Sequence, residues 1–376
     1  MNFFLATDIV IDLRSALSLP SVMKQLCITR PGLIYDANLE ANLYFHDVLA
    51  AIKEAYADCV IYTNSFPGEP TYRHLEDVAA YFREPAPDGF VVIGGGSTMD
   101  LAKGVALLQT NAVSALSLKG FPSDVNDPLP LITVPSLLGS GAEVSYNAVF
   151  IDEDEGRKLG INSRQNFPKK CVVDPLLSMS APRKSVIATA MDSMVHCIDS
   201  FGSPKQTPLS RVFSIEGFQR IFYALQQDQL DRAESRIDLA IGSICGTVAL
   251  MNSGDGPSNG FAYYLGVKHQ VPHGLAGAVF LKEVMAYNIS HGYEKYAVLN
   301  PMRETLSARA CSEQLMEQMD ALYRQLDIPT LSSFGFTREN ARDFAHQASQ
   351  ALQGSFAGNP VAFDQESALK VINRLM

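Results

Sequence analysis

Asp192 and His196 stand four residues apart in the run MDSMVHCIDS, residues 191–200, with helix-compatible side chains between them. At that spacing both side chains leave one face of a helix about a turn apart. A carboxylate and an imidazole so placed make half of a divalent-metal site. The pair suits a borderline cation such as Fe²⁺ or Zn²⁺, and a second imidazole, His273 in the KHQVPHG stretch of residues 268–274, would close the other side of the shell. An isolated Asp-x-x-x-His is more often an ordinary pair on a surface helix, so the surroundings decide its weight.

A second stretch carries chemistry of another kind. GGGSTMDLAK, residues 94–103, follows an apolar strand-like run and opens a helical one. Glycines there let the backbone approach a diphosphate, and the helix start offers unpaired N–H groups to it. The spacing is not GxGxxG, so alone it signifies a phosphate-bearing ligand or a tight strand-to-helix turn.

Positioning these residues requires two kinds of architecture. In the first half, LCITRPGLIYD, CVIYTN, GFVVIGGGS, LPLITVPS and KCVVDP read as strands, and helical periodicity fills LEANLYFHDVLAAIKEAYAD and TYRHLEDVAAYFRE. This β-α-β alternation predicts a parallel sheet covered by helices, with ligands outside the carboxyl ends of the strands. After about Leu177 the alternation stops. LSRVFSIEGFQRIFYALQQ, RIDLAIGSICGTVALMNS, LAGAVFLKEVMAYN, SEQLMEQMDALYRQL, RENARDFAHQASQAL and QESALKVINRLM all carry apolar residues at three- and four-residue spacing. The expected fold class is therefore α/β plus all-α. A Rossmann-like parallel-sheet dinucleotide domain is expected over residues 1–178, and an all-helical metal-binding catalytic domain over residues 179–376.

Composition bounds the partners. With 376 residues, 47% of them hydrophobic, the chain can bury a large core in about two domains. A net charge of −10 and a pI near 5.2 argue against nucleic acid or an anionic membrane surface. No apolar run approaches the ~18 residues that span a bilayer. The N-terminal segment has no basic stretch and no small-residue cleavage site, and is read as mature protein. Six cysteines without CxxC pairing are expected to be reduced thiols in a cytoplasmic protein.

In order and at familiar spacing, GGGSTMDLAKGVAL, ITVPSLLGSGAEVS, VVDPLLSMSAPRKSVIATAMDSMVHCID and VPHGLAGAVFLKEVMAYN resemble the signatures of the iron-containing (metal-dependent, group III) alcohol dehydrogenase family. The resemblance covers nearly the whole chain. It implies NAD as cofactor, a catalytic divalent metal, Fe²⁺ or Zn²⁺, in a cleft between the two domains, a small-molecule alcohol or sugar-acid substrate, and a homodimer.

Carried over residue by residue, the resemblance makes Asp192, His196 and His273 metal ligands. It places Gly95, Gly96 and Ser97 on the diphosphate loop and Asp100 at the start of the following helix. Ser136 and Leu137 fall where the family usually has two threonines near the cofactor, and Leu137 cannot hydrogen-bond. Asp36 matches an acidic position near the adenosine ribose, where a carboxylate accepts from the 2′-OH of NAD and repels a 2′-phosphate; a capping aspartate is the alternative. Lys158 resembles the family's lysine near the active site, or is a solvated lysine in the polar DEDEGRK hairpin.

The departures are two missing imidazoles. Fourteen residues before His273 the family normally has a metal-binding histidine, and here stands Asn259; four residues on, its usual active-site histidine is Tyr263. Asn259 could ligate through its carbonyl oxygen, a water could fill the position, or His269 nearby could compensate. Tyr263 or His269 is the candidate relay for the alcohol proton. The expected activity is metal-assisted hydride transfer between an alcohol and NAD. The alternatives are a sugar-acid oxidase of the 3-deoxy-D-manno-octulosonate 8-oxidase type, a lyase of the dehydroquinate-synthase type, and a non-catalytic relative with a weakened metal site.

Overall fold

A six-stranded, all-parallel sheet organises the first half of the chain. The computed structural model describes residues 2–269, 271–300 and 306–376, so Gln270 of the KHQVPHG stretch lies outside the described residues. The strands are β1 (Asp8–Ile11), β2 (Pro31–Asp36), β3 (Val60–Asn64), β4 (Gly89–Gly94), β5 (Leu131–Pro135) and β8 (Lys170–Val173), in the spatial order β1-β8-β5-β4-β2-β3. Between them in sequence, β6 (Asn147–Asp152) and β7 (Arg157–Asn162) pair as a separate antiparallel hairpin. The central strands are apolar runs because both faces are covered: Phe90, Val91, Val92 and Ile93 are fully buried.

Helices α1 (Leu19–Gln25) and α2 (Leu43–Ala55) pack with one side of the sheet, where Leu33, Val91, Ile93, Ile132 and Val134 meet Phe45, Val48 and Ile52. On the other side Ile34, Phe90 and Val92 meet α3 (Tyr72–Tyr81) and α4 (Gly96–Leu108) through Leu75, Val78, Leu101 and Val105. This alternation of faces along each strand is what a doubly covered sheet requires. The chain turns from β2 to β3 on one flank and then crosses back to β4 on the other, so the connections leaving the carboxyl ends of β2 and β4 run to opposite sides, a topological switch point.

A short α5 (Pro175–Ser178) follows β8, and the remainder is helical: α6 (Arg183–Gly202), α7 (Pro208–Gln227), α8 (Ala233–Ser253), α9 (Pro257–His269), α10 (His273–Ser290), α11 (Ala308–Gln325), α12 (Ala341–Ala351), α13 (Gln353–Ala357) and α14 (Gln365–Arg374). The chain divides into two compact units. One comprises Leu5–Pro182 with Asp231–Ala240; the other contains Arg183–Leu230 and Ile241–Met376, with the residues before Leu5. Every residue of α6 from Ala190 to Gly202 is buried. A helix without a solvent face is the core about which its neighbours pack.

Candidate metal centre and cofactor cavity

Burial disposes of the ordinary reading of the Asp-x-x-x-His pair. Asp192 and His196 are each 6% exposed, deep in the helical unit rather than on its surface. His273, the first residue of α10, reaches the same point: its Nε2 lies 3.8 Å and that of His196 3.7 Å from Asp192 Oδ1. One donor atom from each of the three falls within 4.8 Å of the others.

The PHG turn brings His273 there for a steric reason. A Cβ on Gly274 would stand 2.1 Å from the carbonyl oxygen of Ala188 and 2.8 Å from Cβ of Asp192, so only glycine lets α10 begin against α6 at this level. Asn259 Oδ1 is 3.2 Å from His273 Nε2, and the Tyr263 ring stands edge-on to the His273 ring with centroids 4.7 Å apart.

The donor set fits a divalent cation. His196 is buried with an Nδ1 that makes no hydrogen bond among the described residues. A carboxylate and two imidazoles converge where an ion can sit, and a neutral amide oxygen lies beside them. Two imidazoles and one carboxylate are the donors expected for Fe²⁺, Zn²⁺ or a neighbouring first-row ion.

His269 ends elsewhere. It closes α9 ten residues after Asn259, about 15 Å along a helix axis, is exposed, and packs edge-on to Phe336. His273, four residues later in sequence, meets Tyr263 and Asp192 instead. Sequence reasoning also passed over Asp199, which accepts the backbone N–H of Asn259 at 2.8 Å. Its signal was present: residues 192, 196 and 199 repeat at four and three, one helix face. Burial pushes the Asp199 carboxyl up to about 7, against the N–H groups that favour its anion.

The α/β unit holds a cavity of about 480 Å³ at the switch point of its sheet. Its walls are the loops that follow strand ends: residues 36–38 after β2, 64–68 after β3, 95–98 after β4, and Leu137 after β5. Gly95, with extended backbone, is the N-cap of α4, so the first turn of that helix, with its unpaired N–H groups, lines the cavity. At Gly96 a Cβ would lie 2.6 Å from Ser140 Oγ, so the loop runs too close to its neighbour for a side chain. Asp36 is the one ionisable side chain among the lining residues. Its Oδ1 accepts both the backbone N–H and the side-chain amide of Asn38, at 2.9 and 2.8 Å, so it is a capping residue that also faces the cavity.

Gly95, Gly96, Ser97, Leu137 and Asp36 thus come together at the cavity, and three other expected residues are not among those that line it. Asp100 does not line the cavity: Oδ1 pairs with Lys103 Nζ at 3.2 Å and Oδ2 accepts the backbone N–H of Val149 at 3.1 Å, joining α4 to β6. Lys103 is 1% exposed, and burial pushes Asp100 up and Lys103 down. Ser136 is buried, and its backbone N–H ties β5 to Gly94 O at 2.9 Å. Lys158 lies on β7, its Nζ bonded to Glu69 Oε1 at 2.6 Å. In their place the structure adds Asn64, Ser65 and Phe66. They sit in a strand-to-helix loop, NSFPGEP, that carries no motif but follows the strand next to the switch point. Asn64 donates to Thr98 Oγ1 at 2.9 Å and accepts from the Phe66 N–H at 3.2 Å, while Phe66 stacks on His74 with centroids 4.1 Å apart.

Two family models match end to end: "Iron-containing alcohol dehydrogenase" over residues 6–175 and "Fe-containing alcohol dehydrogenase family, C-terminal" over residues 186–376. The chain belongs to the iron-containing alcohol dehydrogenase family. It is an oxidoreductase of the alcohol dehydrogenase kind. Among its relatives, a 4-hydroxybutyrate dehydrogenase of Cupriavidus necator is 31% identical over 294 residues, covering 75% of each chain. A NAD-dependent methanol dehydrogenase of Bacillus methanolicus is 25% identical over 335 residues, 88% of each. The fold is shared with an alcohol dehydrogenase from Oenococcus oeni at a TM-score of 0.91 and 24% identity over 100% of both chains. No single helix is long and apolar enough to cross a membrane among the described residues.

Proposed function

We propose that this iron-containing alcohol dehydrogenase transfers hydride between a small primary alcohol and NAD with the help of a divalent cation, Fe²⁺ or Zn²⁺. The observation that carries the reading is the convergence of Asp192, His196 and His273 donors within 4.8 Å in the buried core of the helical unit. These three, with the Asn259 amide oxygen beside them, are the proposed ligands. A cation held there supplies Lewis acidity that lowers the pKa of an alcohol hydroxyl, and nicotinamide supplies the hydride acceptor.

The chain's own residues do the rest. The α4 N-terminus and the Gly95–Gly96–Ser97 backbone receive the diphosphate through N–H groups, in a cavity whose lining offers no lysine or arginine. Asp36 accepts from a ribose hydroxyl and opposes a 2′-phosphate, the reading that the methanol dehydrogenase relative's NAD dependence supports. Tyr263, edge-on to His273, is the residue proposed to pass on the alcohol proton. The homodimer belongs to the same reading.

The test is Asp192→Ala. Elemental analysis should find the metal gone and turnover abolished, with NAD binding by fluorescence titration retained because every cavity-lining residue belongs to the α/β unit. Metal at full occupancy in that variant overturns the assignment.

A second reading narrows the substrate to a hydroxy or sugar acid. Asn259 supports it: a neutral amide binds a cation more weakly than imidazole and leaves room for substrate oxygens in the shell. The 4-hydroxybutyrate relative is named for such an acid. A higher kcat/KM for hydroxy acids than for unsubstituted alcohols of equal length is the expected result; equal values would remove this reading.

A further inference from the structure

The amino end of α9 is buried, with Ser258 and Asn259 both within 2% of full burial, so its first-turn N–H groups need an acceptor from the protein. Gly256, ahead of Pro257, has no side chain, and Asp255 is engaged with Ser355 Oγ at 2.8 Å. The acceptor comes from another helix. Asp199, two turns along α6 from Asp192 and 5% exposed, takes the N–H of Asn259 on Oδ2 at 2.8 Å. Its carboxylate occupies the space a side chain at Gly256 would need: a Cβ there would lie 2.8 Å from Asp199 Cγ and 3.0 Å from Oδ1. A carboxylate at a helix N-terminus is favoured by the helix dipole as well as by the hydrogen bond.

We infer that Asp199 is a positioning residue for the metal centre, fixing the start of α9 against α6 and so holding the Asn259 amide oxygen beside His273 Nε2. The inference rests on the proposed metal site and extends it to a residue that touches neither cation nor substrate. One helix face thus carries two ligands, Asp192 and His196, and the carboxylate that places a third group, so the three stand in a common frame.

Its test is Zn²⁺ affinity of the full-length, metal-stripped protein, measured by competition with a chromophoric chelator. Asp199→Ala, which leaves a buried N–H without its acceptor, should weaken Zn²⁺ binding by ~10-fold or more, and Asp199→Asn, whose amide oxygen accepts the same bond, should stay within ~3-fold of wild type. In an Asn259→Ala background Asp199→Ala should change Zn²⁺ affinity by less than ~2-fold, because the effect passes through Asn259.

Wild-type affinity in folded Asp199→Ala, or losses that simply add in the double variant, would overturn the inference. An Asn variant as weak as the Ala variant would also overturn it, by showing that charge rather than position is at work. If Asp199→Ala does not fold, Gly256→Ala drives the same contact apart and carries the same expectations, with wild-type affinity there counting against the inference. Asp192→Ala separates the two levels. Zn²⁺ retained in that variant removes the metal site itself, whereas Zn²⁺ lost there and kept in Asp199→Ala removes only the role of Asp199.

Discussion

Asn259 Oδ1 lies 3.2 Å from Nε2 of His273, which places a neutral amide oxygen beside one of the three proposed ligands. Imidazole is the better donor to Fe²⁺ and Zn²⁺. Asn259→His should therefore tighten metal binding, by ~10-fold or more if the new ring takes the same place. Activity on hydroxy acids should fall relative to simple alcohols. Calorimetry that finds equal metal affinity in both proteins would put Asn259 outside the shell.

Asp36 is the residue proposed to set cofactor choice: its Oδ1 is held by Asn38, and its carboxylate is the only charge lining the cavity among the described residues. Asp36→Gly removes an acceptor for the ribose and a repulsion against a 2′-phosphate together. The expected outcome is a shift in the NAD to NADP ratio of kcat/KM of about 10-fold or more towards NADP. An unchanged ratio would leave Asp36 as a capping residue alone.

Asp100 and Lys103 make the opposite case. Their pairing in the interior ties α4 to β6, away from the cavity. Removing one member of a buried pair leaves the other uncompensated, at roughly 3–5 kcal/mol. Asp100→Ala should lower the denaturant midpoint accordingly, while the NAD dissociation constant of the folded fraction stays near wild type. A selective loss of NAD binding with stability intact would restore Asp100 to the cofactor site.

His74 gives the fold a pH dependence. It is buried beneath Phe66 with Nε2 3.3 Å from the Tyr62 hydroxyl, and burial lowers its pKa, opposed in part by Asp77. The folded state thus holds the ring neutral where the unfolded chain protonates it. Its contribution to stability is complete above the unfolded value of about 6.5 and is lost as pH falls from there towards the depressed folded value, by at most about 1.4 kcal/mol per pH unit. His74→Leu should flatten the fall of Tm between pH 7 and pH 5. The same slope in both proteins would place that sensitivity elsewhere.

How much of this was legible in the sequence depended on whether a residue's role is local. Asp192 and His196 were readable because a spacing of four on a helix is a contact in itself. The strand-turn-helix at residues 94–103 was readable for the same reason. Residues 64–68 were not: their place at the cavity follows from β3 lying next to β2, which is a property of the sheet. Asp100 and Lys158 show the limit from the other side, since a polar residue near a motif also meets whatever charge the fold brings close, Lys103 for one and Glu69 for the other. His269 was judged by sequence distance from His273, yet its exposed ring packs on Phe336 while that of His273 meets Asp192.

The two sets of functional groups are mounted on very different parts of the molecule. The cavity is walled by the last residues of β2 and β3, by the loops beyond them and beyond β5, and by the first turn of α4. Substitutions in the exposed loop residues 65–68 can accumulate without disturbing the core, whereas Gly96 and the buried Thr98 are fixed by their neighbours. Asp192, His196 and Asp199 project from the stretch of α6 in which every residue is buried, where a single inserted residue would rotate all that follows by about 100°. Descendants of this chain can drift in the dinucleotide they accept far more readily than they can relocate the ion, so evolutionary novelty should enter through the loops while α6 stays in register.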